Sequence, residues 1–236
     1  MAGAAELYSL CEIGEIDKMK IYKYLQEQYL DSFVNKGQVL FRSLSYFKGY
    51  EDHIRGDQFE GTKKFKPTNG LEITKTTGER LTIPYSFEST VKTDDIFVFC
   101  VSKVRSKELA QEFDANACIE INVDEFSLKL NPALLALQNV THKNIVHQEV
   151  EYYSETKPPI VDWALPEKIA FSKLDYFMRQ QEYRFAFCFG DAFSIGSTAQ
   201  CLVGTGSDRT FVTSNYCHQI LELGNINNIC QVHRIT

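Results

Sequence analysis

Glu182 and Arg184, in the segment Glu182-Tyr183-Arg184-Phe185-Ala186-Phe187-Cys188-Phe189, carry the clearest chemical signal in the chain. On a strand, alternate side chains leave by opposite faces. Tyr183, Phe185, Phe187 and Phe189 then share one side, and Glu182, Arg184, Ala186 and Cys188 the other. The aromatic side seeks the core, which leaves a carboxylate and a guanidinium together on a surface or in a cleft. The plain reading is an exposed ion pair worth about 0.2–1 kcal/mol; the sharper one is a catalytic pair.

A second group is the acidic run Glu51, Asp52, Asp57 and Glu60, set among His53, Arg55 and Gly56. Clustered carboxylates can hold Mg²⁺ or Mn²⁺ for phosphoryl chemistry, so a metal-dependent nuclease using this acidic stretch is one functional alternative. The alternating Asp/Asn spacing and closing Glu of a calcium loop are missing. Pairing with Arg42, Arg55 or lysines to fix a loop, or recognition of a substrate hydroxyl, is the simpler expectation.

A third set is Tyr22, Lys23, Tyr24, Phe41, Arg42, Ser43, Ser45, Tyr46 and Phe47. Aromatic rings beside cations can stack a heterocycle and hold a pyrophosphate, as a dinucleotide requires. Phe41, Phe47 and Tyr24 are expected as core. His142 and His147 have no zinc-pair spacing, Gly204-x-Gly206 is followed by no Lys-Ser/Thr, and no Gly-x-Ser-x-Gly elbow occurs.

Strands are expected at Met19–Leu25, Gln38–Arg42, Asp95–Ser102, Ala117–Val123, Ile145–Tyr153, Glu182–Phe189 and His218–Leu223. Asp95–Ser102 is so continuously apolar that it needs cover on both faces, which makes it central. A hairpin is expected over 71–83, turning near Thr77-Gly78. Helices are expected over Glu27–Lys36, ending at Gly37, over Ser106–Phe113, and from Pro166 towards Gln180; Asp124–Leu137 should be broken in two by Pro132. Strands interspersed with few helices indicate an α+β fold with a curved, largely antiparallel sheet, in a single domain spanning 1–236.

The composition suits a core of that size, with 44% hydrophobic and 24% charged residues. A net charge of −6 gives no global attraction to nucleic acid or anionic lipid. The seven cysteines (Cys11, Cys100, Cys118, Cys188, Cys201, Cys217 and Cys230) include no CxxC pair, and several lie in apolar runs, so buried reduced thiols and a cytoplasmic location are expected. Met1–Glu15 has no apolar segment of signal-peptide length, and no run approaches a membrane span.

In order, IYKYL at 21–25, VLFRSLSYFKGYED at 39–52, IFVFCVS at 96–102, ACIEI at 117–121, VEYY at 150–153 and QQEYRF at 180–185 resemble an uncharacterised bacterial domain family. The same layout resembles the ADP-ribosyltransferase fold of the DarT kind and the CmdT-type toxins that modify RNA in phage defence. The resemblance implies an ADP-ribosyltransferase-like fold and an enzyme that cleaves NAD⁺, its substrate, without a metal. It implies transfer of ADP-ribose to a macromolecular acceptor (RNA, DNA or protein), an anti-phage or abortive-infection role, and a neutralising antitoxin or chaperone as partner. Glu182 would be the catalytic carboxylate and Gln180 would orient the acceptor. Tyr22 or Tyr46 would stack the nicotinamide, Lys23 and Arg42 would hold the phosphates or the adenosine ribose, and Ser43-x-Ser45 or Tyr46 would be the middle motif. Arg184 would brace the strand. A non-catalytic module recognising a phage protein or nucleotide signal is the other alternative.

Overall fold

The computed structural model describes residues 19–49, 56–138, 140, 144–204 and 217–235. Eight strands form the main sheet: β1 (Lys20–Leu25), β2 (Gln38–Ser43), β3 (Ile96–Ser102), β4 (Ala117–Asn122), β5 (Val146–Glu149), β6 (Glu182–Cys188), β7 (His218–Glu222) and β8 (Cys230–Arg234). Every pairing within it is antiparallel.

The apolar β3 is central, as its composition requires. One edge pairs along its whole length with β6, which continues to β5. Two strands divide the other edge. β2 meets it at Arg42↔Val98 and Ser43↔Phe97, and β1 meets it only at Tyr22↔Ser102. β2 leads outward to β7, and β1 to β4 and β8, so the sheet forks. Among the described residues no strand faces Phe99, Cys100 or Val101 inside the fork.

Both faces around β3 and β6 are covered. Phe97, Phe99 and Val101, with Tyr183, Phe185 and Phe187, pack under the helix Val123–Leu135 through Phe126, Leu130 and Leu134. On the opposite face Ile96, Val98, Ala186 and Cys188 meet Leu44, Ile169 and Phe171. Full burial of each large apolar side chain contributes about 1.5–3 kcal/mol, so the two clusters hold the shared strands firmly against the fork.

Several local expectations give way to packing. The helix Val123–Leu135 is continuous through Pro132; Pro132 and Leu128, whose carbonyl loses its partner, are both exposed, while the apolar stripe runs on uninterrupted. Ile145–Tyr153 divides into β5 and Glu151–Tyr153, which pairs instead in parallel with Ser172–Leu174. The span from Pro166 to Gln180 is not one helix but Pro166–Ala170, that short strand, and a 3₁₀ turn at Asp175–Gln180. Glu27–Lys36 forms a 3₁₀ turn, Glu27–Tyr29, and a π turn, Asp31–Asn35, which bury Phe33 and Val34. β8 has no counterpart in the sequence reading. Cys201 and Cys217 are exposed, against the expectation of burial.

The hairpin Leu71–Thr74/Arg80–Ile83 forms as expected. A further antiparallel sheet joins Thr62–Phe65, Tyr85–Thr90 and Ala199–Gly204. Gly37 ends the π turn at φ +65°, and a β-carbon there would lie 1.9 Å from the carbonyl oxygen of Gly224. Only glycine fits that approach. Among the described residues no helix is long and apolar enough to cross a membrane.

Candidate functional site

Where β1 and β2 separate, they open a cleft of about 650 Å³ over the unpaired edge of β3. Tyr22, Lys23, Arg42, Tyr46, Gln180 and Glu182 all line it. The opening strands and the late glutamate strand therefore share one cavity, although they lie far apart in sequence.

The base of the cleft is a network of buried charges. Glu182 and Arg184 are 5% and 0% exposed, so they are not a surface pair. Packing of Ala170, Phe171 and Ile169 over the second face of β6 removes them from solvent. Arg184 Nε donates to Glu182 Oε1 at 2.5 Å, and its terminal nitrogens donate to both oxygens of Glu60 at 2.6 and 2.9 Å. One of them also reaches the Ala170 carbonyl at 2.6 Å. Lys173 Nζ lies 2.8 Å from Glu182 Oε2, and donates to Gln180 Oε1 at 3.3 Å. Two carboxylates thus face two cations.

Burial pushes the Glu182 carboxyl upward, but Arg184 and Lys173 outweigh it and hold the group well below the usual carboxylate range. Burial likewise opposes the charge of Lys173, and Glu182 and Glu60 overcome it, raising the ammonium above its ordinary value. Cys100, paired across the strands with Arg184, has its thiol pushed up by burial and then by Glu182, so it stays neutral. Glu182 is a fixed anion, suited to electrostatic stabilisation rather than to proton transfer.

A backbone turn aims these groups. Gln181 adopts φ +41°, the left-handed region, between the 3₁₀ turn and β6. The Ser102 hydroxyl donates to the Gln180 carbonyl at 2.8 Å, and the Lys103 amide to that of Gln181 at 2.8 Å. The Glu182 amide donates to the Tyr152 hydroxyl, also at 2.8 Å. These bonds hold a conformation that costs about 1–3 kcal/mol at a non-glycine residue, and they direct the side chains of Gln180 and Glu182 to the same cleft.

The walls carry the cations and rings. Lys23 donates to the Cys100 carbonyl at 2.9 Å, satisfying a backbone acceptor in the fork, and lies 4.6 Å from the centre of the Phe99 ring. Across the fork, the Arg42 guanidinium stacks 4.3 Å from the centre of the Tyr46 ring. Tyr24 lines the cleft, Phe47 both lines it and packs against the second apolar cluster, and Phe41 is fully buried in the core. Ser43 and Ser45 are not among the lining residues: both are buried, with their hydroxyls 2.9 Å apart.

Of the acidic run, Glu51, Asp52, His53 and Arg55 lie outside the described residues, as do His142 and Gly206. Glu60 pairs with Arg184, and its Oε2 lies 3.9 Å from Lys173 Nζ, so a lysine is among its partners as expected. Asp57 is buried beside it, and burial, then the charge of Glu60, pushes its carboxyl up to about 6. The nuclease reading needs Asp52, Asp57 and Glu60, and both oxygens of Glu60 are already engaged. Among the described residues no group of three or more His, Cys, Asp or Glu is arranged to hold a metal ion. His147 bonds the Tyr183 hydroxyl at 2.7 Å, outside the cleft lining.

Lys173, Cys100 and Tyr152 enter the site without any spacing signal. The only hint for Lys173 is a lone lysine within Ile169-Ala170-Phe171-Ser172-Lys173-Leu174, an otherwise apolar run. The chain matches no protein-family model, no curated protein and no solved structure.

Proposed function

We propose that the cleft binds NAD⁺ and that the protein transfers ADP-ribose from it to a macromolecular acceptor, in the manner of a toxin or phage-defence effector. The observation that carries this reading is the convergence of Glu182, a buried carboxylate that Arg184 and Lys173 hold below the usual carboxylate range, with Lys23, Arg42 and the Tyr22 and Tyr46 rings on one cavity. The wall cations suit a pyrophosphate and the rings suit its bases. The motif layout from IYKYL to QQEYRF supports the choice of NAD⁺ and of a macromolecular acceptor.

In the reaction, the bond between ribose C1′ and the nicotinamide nitrogen breaks, and its electron pair leaves with neutral nicotinamide. Positive charge develops at C1′ and the ring oxygen. Glu182, accepting a hydrogen bond from the ribose 2′-hydroxyl, interacts more strongly as that charge grows. The acceptor's lone pair then forms the new bond to C1′ and its proton passes to water. Arg184 and Glu60 hold the carboxylate in place, and Gln180 lies beside it for the acceptor.

Incubation with NAD⁺ and cell extract in EDTA, followed by measurement of free nicotinamide, tests this. Wild type releases nicotinamide and Glu182→Gln falls by about 10²-fold or more; no release with any macromolecular fraction rejects the transferase. A second reading, binding without turnover, is favoured by the engagement of both Glu182 oxygens by Arg184 and Lys173. It predicts that NAD⁺ binds and is recovered intact, and that Glu182→Gln changes affinity alone.

A further inference from the structure

The donors at the base of the cleft are unequally used. Arg184 directs Nε to Glu182, both terminal nitrogens to Glu60, and one of these also to the Ala170 carbonyl. Its fork is nearly saturated, so although it borders the cavity it acts as a brace. Lys173 differs. An ammonium has three donors; one lies 2.8 Å from Glu182 Oε2 and another 3.3 Å from Gln180 Oε1. The next carboxylate oxygen, Glu60 Oε2, is 3.9 Å away, beyond hydrogen-bonding distance. The Phe177 ring covers a further side, with its centre 4.9 Å from Nζ. Lys173 is 5% exposed and lines the cleft, the side from which a further acceptor would approach.

We propose that Lys173 and Glu182 form a subsite for the vicinal diol of a ribose, with one hydroxyl donating to the carboxylate and its neighbour accepting from the ammonium. This rests on the reading of the cleft as a nucleotide site and names what its base selects. An acceptor and a donor 2.8 Å apart match two oxygens on adjacent ring carbons. Their opposite charges disfavour the other occupants: Glu182 repels a phosphate, and Lys173 repels a cation. A neutral pair of hydroxyls satisfies both, while the phosphates remain with Lys23 and Arg42 in the walls. A buried site built to bond a hydroxyl discriminates strongly against a ligand that lacks it, because its own polar groups are left unpaired.

Isothermal titration of the full chain with ADP-ribose, and with analogues lacking the 2′- or 3′-hydroxyl of either ribose, tests the subsite without requiring turnover. On one ribose, loss of either hydroxyl weakens binding by about tenfold or more, and in Lys173→Met the 3′-deoxy penalty on that ribose falls below about twofold. If Lys173→Met does not fold, Lys173→Arg replaces it: moving the donors reduces the same 3′-deoxy penalty while keeping the charge. The proposal is overturned if all four analogues bind like ADP-ribose, if ADP-ribose does not bind, or if a folded Lys173 variant keeps the full discrimination. Discrimination without nicotinamide release from NAD⁺ leaves the diol subsite standing and removes the transferase reading.

Discussion

Glu60 and Arg184, 124 positions apart, meet as a bidentate pair in which both side chains are completely buried. The contact ties the segment before Thr62–Phe65 to β6 and fixes the guanidinium whose Nε holds Glu182. Removing the Glu60 charge leaves two buried cations, Arg184 and Lys173, sharing the carboxylate of Glu182. Glu60→Gln is expected to destabilise the fold by about 3–5 kcal/mol, measured by urea unfolding. A loss below about 1 kcal/mol, the level of an exposed pair, contradicts the buried geometry.

Asp57 gives the fold a pH dependence of definite sign. Its folded-state pKa of about 6 lies above the ordinary value of 3.8, so the native state binds the proton more tightly than the unfolded chain. Stability from this group is full below the ordinary value and is lost as pH rises through about 6. The loss is on the order of 3 kcal/mol. Glu182, lowered by its partners, works oppositely, but only at and below the ordinary carboxylate range. Asp57→Asn is therefore expected to flatten the fall in stability between about pH 4 and 6.5. Denaturation midpoints of both proteins across that range check it, and parallel curves exclude the role.

Gly37 should tolerate no side chain. Alanine there meets both the left-handed φ of +65° and the Gly224 carbonyl at 1.9 Å, and that carbonyl belongs to backbone. Gly37→Ala is expected to cost about 3 kcal/mol or more. Gly78→Ala, with φ +85° and open space around it, carries the conformational cost alone. Equal thermal shifts for the two variants would count against the close approach.

Lys23 and Arg42 stand on opposite arms of the fork, and the proposed ligand is anionic between them. Each of Lys23→Met and Arg42→Gln is expected to weaken nucleotide binding by about tenfold and to reduce its salt dependence. Titrations at low and high ionic strength measure both effects. Lys23→Met also exposes the Cys100 carbonyl, at a cost to stability of about 1 kcal/mol.

By itself the sequence determined the strands that carry the site. The apolar run of β3, the alternation of β6 and the turn at Gly78 follow from side-chain period and backbone preference, which are local properties. It also brought forward Glu182, Lys23 and Arg42, because charges set among aromatic residues are conspicuous in one dimension. Only the tertiary structure decided that the sheet forks, since β1 and β2 compete for one edge of β3 and nothing within either strand records the other. It likewise decided that Glu60 belongs with Arg184 and Lys173 with Glu182: a charge reads as exposed until the opposite charge that permits its burial is found, and here those partners come from distant segments. Pro132 shows the same limit, because a helix break is a local cost that a continuous apolar stripe elsewhere in the fold can outweigh.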